Sequence, residues 1–99
     1  MRDLPIEVAT GTLADLCRRH HIRRLALFGS VLRDDFRADS DVDVLVEFEP
    51  GHTPGLGFFA IQEELSRLLD RPVDLHTPAF LSPYFRDQVR HDSRVLYAA

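Results

Sequence analysis

Apolar and polar positions alternate most regularly in SDVDVLVEF, residues 40–48. Successive side chains of a strand point to opposite faces, so Val42, Val44, Val46 and Phe48 form one face and Asp41, Asp43, Leu45 and Glu47 the other. The first is a core face. The second opens with two like charges about 6–7 Å apart, where folding alone asks for none. RRLALF (23–28), PVDLHT (72–77) and RVLYA (94–98) predict three further strands.

Helical spacing separates them. Leu13, Leu16 and Cys17 predict a helix over 6–20, with Arg18 and Arg19 near its end, where cations complement the helix dipole, and with Gly11 weakening it by about 1 kcal/mol relative to Ala. Ser30 can cap a short helix over 31–35. After the Pro- and Gly-rich loop 49–57, Phe58, Ile61, Leu65, Leu68 and Leu69 line one face of the clearest helix, and Phe58, Phe59 and Ile61 read as core. Ser82 and Pro83 are N-cap and first-turn types, opening a helix through about Asp92. The order αβαβαβαβ predicts an α/β (α+β) fold, a small mixed sheet with helices packed on it, in one domain spanning 1–99.

Charge and composition narrow the chemistry. Neutralising many nucleic-acid phosphates needs a basic face, so the net charge of −4 disfavours a nucleic-acid partner without excluding a small phosphate ligand. One cysteine, Cys17, excludes an intrachain disulfide, and no run approaches the ~20 apolar residues of a membrane span; a reducing, cytoplasmic location is expected. RRHHIRR (18–24) reads as a solvated helix end and turn. His20 and His21 diverge by about 100° on a helix and make a poor zinc pair.

The candidate chemistry gathers around the anomalous strand. Asp41 and Asp43 stand together, Asp74 faces away from the core side of another strand, and Gly29-Ser30 ends a strand where free backbone N–H groups favour a phosphate. Clustered carboxylates repel one another, and a hard divalent ion such as Mg²⁺ relieves that repulsion through oxygen ligands. Two such ions can clamp an in-line displacement at phosphorus. The residues therefore point to nucleotidyl or phosphoryl transfer without saying which. His76 shares the face of Asp74 and could approach the site, but a surface position is expected for it. Arg33 could contact phosphate or brace the acidic cluster, and Ser40 could simply orient the turn into Asp41.

GSVLRDDFRADSDVDVLVEF, 29–48, resembles the signature of the DNA polymerase beta nucleotidyltransferase superfamily: Gly-Ser, ten residues, then Asp-x-Asp, with a later strand Asp that Asp74 matches. The chain's length resembles that of the minimal nucleotidyltransferases. The resemblance implies that Gly29 and Ser30, with Arg33 beside them, hold the triphosphate of ATP. It further implies that Asp41 and Asp43 bind two Mg²⁺ ions and that Asp74 completes one metal site and helps activate the attacking hydroxyl. Members of the minimal group are commonly antitoxins that transfer AMP to a tyrosine of a HEPN-domain toxin, which makes such a toxin the expected partner. Asp34, where many members carry Gly, adds negative charge near the triphosphate. A purely binding antitoxin and a small-molecule (antibiotic) nucleotidyltransferase are the alternatives.

Overall fold

The computed structural model describes residues 8–32, 37, 40–52 and 54–99, without the Ser30 and Phe80 side chains. Its elements run α1 (Thr10–Arg19), β1 (Ile22–Phe28), a 3-10 turn (Gly29–Leu32), β2 (Val42–Phe48), α2 (Gly57–Leu69), β3 (Val73–His76), a second 3-10 turn (Pro78–Phe80), α3 (Pro83–Asp92) and β4 (Arg94–Ala98). The strands form one mixed sheet in the order β3-β2-β1-β4. β1 is antiparallel to both β2 and β4, while β2 and β3 are parallel.

The alternation along β2 sorts its residues as expected. Val42, Val44 and Val46 are wholly buried in the main core with Leu13, Leu16 and Cys17 of α1 and Ile61, Leu65 and Leu69 of α2. Burying each such aliphatic side chain contributes roughly 1.5–3 kcal/mol, so this face anchors the strand. The opposite face is not left to solvent throughout. Leu45 is buried there with Phe28, Leu81 and Val89, a smaller core that seats α3. Two residues on, the Glu47 carboxylate is nearly covered and lies 3.3 Å from Arg23, 4.0 Å from Arg24 and 3.1 Å from Arg90 of α3. Within β2, Asp43 is the residue of this face that α3 leaves open.

Element ends differ from the sequence reading for identifiable reasons. α1 starts at Thr10, because Ala9 is already extended and Val8 packs on the core that holds Leu13, a hydrophobic-staple placement; the start expected at residue 6 lies outside the described residues. β2 starts at Val42 rather than residue 40. Ser40 instead closes a turn, its N–H donating to the Arg37 carbonyl at 3.0 Å and its Oγ accepting from the Arg37 N–H at 3.0 Å. After Gly29 the chain forms a 3-10 turn; the rest of the helix expected over 31–35 lies outside the described residues. Phe59 is a correction: it is 64% exposed, on the side of α2 away from Ile61 and Leu65. Ser82 caps α3 as expected, accepting from the Tyr84 N–H. The basic stretch 18–24 is met by local carboxylates, with Arg19 2.6 Å and His20 3.1 Å from Glu64 and His21 3.3 Å from Glu49. Among the described residues no helix is long and apolar enough to cross a membrane.

Strand β3 lies at the sheet edge, and α2 closes that edge. In a parallel pair alternate residues turn their N–H groups away from the neighbour. On β3 these are Val73 and Leu75, and they donate to Ser66 Oγ and Gln62 Oε1, each at 3.0 Å. Two polar side chains on one helix thus fix the strand that carries Asp74 and His76.

Candidate active site

Sheet register explains why residues far apart in sequence converge. The antiparallel pairing sets Phe28 opposite Asp43, so the chain leaves β1 at Gly29 beside the start of β2. The parallel pairing sets Asp43 opposite Asp74 and Leu45 opposite His76. Three strands therefore deliver Gly29, Asp43, Asp74 and His76 to one end of the sheet.

Gly29 has φ +77°, a conformation that costs other residues roughly 1–2 kcal/mol. A Cβ placed there would lie 3.2 Å from Asp43 Cγ and collide with Oδ2. Backbone and carboxylate occupy adjoining space that a side chain would fill.

His76 is the residue that the sequence reading placed differently. Its Nε2 lies 3.2 Å from Asp74 Oδ2 and 3.6 Å from Asp43 Oδ1, and its ring meets Phe28 edge-on with centroids 5.3 Å apart. The imidazole belongs to the acidic cluster rather than to the open surface. Its position two residues after Asp74 was the available signal. What could not be read from that spacing is the parallel register that carries the ring over Asp43.

Burial pushes the Asp43 carboxyl above the usual carboxylate range; the His76 imidazole opposes the rise, and the charges of Asp74 and Asp41 add to it. Asp74 is the outer carboxylate, with 55% of its side chain exposed against 28% for Asp43. Asp41 stands exposed just before β2. Among the described residues, the ligand atoms that gather within 4.8 Å of one another are those of Asp43, Asp74 and His76. Arg33 and Asp34 lie outside the described residues, as does the side chain of Ser30.

The donor set fits a divalent cation. Ligands on neighbouring vertices of an octahedron with bonds of about 2.1 Å are ~3 Å apart, close to the 3.2 Å between His76 Nε2 and Asp74 Oδ2. Among the described residues His76 Nε2 is closed off from solvent and makes no well-aligned hydrogen bond, although Asp74 Oδ2 lies 3.2 Å away, so a nitrogen donor stands unsatisfied within the cluster. Beside it a cavity of about 340 Å³ opens between Gly29 and α3, lined by Phe28, Leu32, Phe85, Gln88 and Asp92. Its size lies at the lower end of the ~300–1,000 Å³ typical of small-molecule pockets.

Residues 11–96 match the nucleotidyltransferase domain family. Protein adenylyltransferase MntA of Thermococcus cleftensis is 39% identical over 69 residues, 69% of this chain and 68% of that protein. A solved structure assigned to the minimal nucleotidyltransferases is 38% identical, with a TM-score of 0.71 and 85% of each chain covered. A complex of a tri-AMPylated HEPN toxin with its MNT antitoxin from Shewanella oneidensis shares the fold, with a TM-score of 0.64 at 21% identity, covering 91% of this chain and 70% of the other. The Gly-Ser to Asp-x-Asp spacing, the mixed sheet that brings its ends together and these likenesses agree: the chain belongs to the nucleotidyltransferase domain family, as a minimal nucleotidyltransferase of the polymerase-beta type.

Proposed function

We propose that this chain is a Mg²⁺-dependent protein adenylyltransferase that transfers AMP from ATP to a tyrosine hydroxyl of a HEPN toxin and acts as that toxin's antitoxin. The observation that carries the reading is the meeting of Asp43 and Asp74 on paired strands beside the Gly29 backbone. The adenylyl group and the toxin partner are supported by the similarity to MntA and to the antitoxin found with an AMPylated HEPN toxin.

Each residue has a task in this reading. The backbone at Gly29 and Ser30 holds the triphosphate, with Arg33 next to it, and the cavity between Gly29 and α3 takes the nucleoside. Asp43 and Asp74 hold divalent cation, and Asp41 completes the set from just before β2. When bound, two Mg²⁺ ions lower the pKa of the attacking hydroxyl and neutralise the leaving pyrophosphate. The tyrosine oxygen bonds to the α-phosphorus, the bond from that phosphorus to the bridging oxygen breaks, and pyrophosphate leaves. Asp74, the more exposed carboxylate, orients the incoming hydroxyl and receives its proton.

The test is incubation of the chain with ATP, Mg²⁺ and the HEPN protein encoded beside it, followed by mass spectrometry of the partner's tyrosines. AMP adducts that disappear with an Asp41→Ala, Asp43→Ala variant are expected. Equal labelling by that variant overturns the mechanism. Toxin neutralisation by the same variant without any labelling identifies a binding antitoxin instead.

A further inference from the structure

We propose that His76 is a direct metal ligand through Nε2, and that this nitrogen moves the site shared with Asp43 and Asp74 away from Mg²⁺ towards a softer divalent ion such as Mn²⁺. The inference rests on the reading of Asp43 and Asp74 as metal ligands and names a further donor beside them.

Three observations point to it. Among the described residues Nε2 is covered yet satisfies no hydrogen bond, although carboxylate oxygens lie at 3.2 and 3.6 Å. A histidine held there only by ion pairing would aim an N–H along one of those lines. Here the nitrogen makes no such bond among the described residues, and its 3.2 Å separation from Asp74 Oδ2 suits neighbouring vertices of one coordination sphere. The ring is also fixed in place. Phe28 packs against it, and Leu75, the residue before it, is tied to Gln62 of α2. A preset donor loses little freedom on ligation.

The ion preference follows from donor chemistry. Mg²⁺ takes oxygen ligands and keeps several waters, whereas imidazole nitrogen suits first-row transition ions. A set of two carboxylates and one imidazole therefore gains more for Mn²⁺ than for Mg²⁺. An outer-sphere role for His76 would leave that balance nearly unchanged.

Pulsed electron paramagnetic resonance of Mn²⁺ on untagged protein labelled with ¹⁵N-histidine reads the bond directly. A ¹⁵N coupling that is lost in His76→Asn and kept in a His20→Asn, His21→Asn control is expected. By calorimetry, His76→Asn lowers Mn²⁺ affinity at least ~10-fold and Mg²⁺ affinity by a smaller factor. His76→Gln serves as a second variant, and circular dichroism verifies the folding of each. Asp43-dependent Mn²⁺ binding without nitrogen coupling overturns the role of His76 and leaves the carboxylate site standing. Mn²⁺ binding that Asp43→Asn does not weaken overturns the metal site itself.

Discussion

Gly29 and Asp43 occupy touching volumes: the left-handed backbone of one passes where only a hydrogen can stand against the carboxylate of the other. The Gly-Ser pair and the Asp-x-Asp pair, ten residues apart in sequence, are thus the two halves of one contact across an antiparallel register. Gly29→Ala is expected to destabilise the fold by roughly 1–2 kcal/mol from its backbone conformation. By pushing the Asp43 carboxylate aside it should also lower the transfer rate by about 100-fold. Thermal melting and single-turnover transfer measure the two losses separately. An active Gly29→Ala would show that Asp43 does not need its present position.

Asp43→Asn should separate stability from activity. A carboxyl whose folded pKa is raised binds protons more readily when folded, so its contribution is favourable at low pH and is lost as pH rises through the folded value. In EDTA at pH 7–8, the Asn variant is therefore expected to be more stable than the parent and to melt at a higher temperature. The gap should close towards pH 4, and transfer should be abolished. Melting curves across that pH range check the sign.

Gln62→Ala removes the acceptor for the Leu75 N–H. The expected cost is about 0.5–1.5 kcal/mol. The diagnostic change is local: hydrogen exchange should quicken at Leu75 while Leu25, at the sheet centre, stays protected. Metal affinity should fall with it, since His76 follows Leu75 directly.

Cys17 should be chemically silent in the native protein. Burial pushes its thiol up to about 11, with Arg18 opposing the rise, so roughly 0.1% is thiolate at pH 8. Modification by a disulfide reagent should occur only through opening of the core, at a rate that rises with denaturant. Rapid labelling in buffer would contradict the packing of α1.

Much of this was legible in the residues because two physical signals were strong. Alternation over 42–48 fixes which side of β2 is core, and helical spacing of Ile61, Leu65 and Leu69 fixes the face of α2. The Gly29, Ser30, Asp41 and Asp43 spacing marked the end of the sheet where the carboxylates gather. Two things escaped. The cover over Leu45 and Glu47 was one, because they share the face that opens with charge and nothing local says that α3 will return to it. His76 looked like a surface residue, because its neighbours are set by a parallel pairing whose partner lies about thirty positions earlier in the chain. Phe59 misled in the opposite direction: an aromatic beside Phe58 suggests core, yet the helix turns it outward.

The side chains of Ser66 and Gln62 have a consequence for how another protein can approach. An edge strand with free N–H groups invites an incoming chain to extend the sheet. At β3 both outward N–H groups are already taken by α2, so backbone recruitment is closed off beside Asp74. A protein acceptor of the kind proposed would have to be recognised there by side-chain fit and charge, a form of recognition that single substitutions can retune without disturbing the strand.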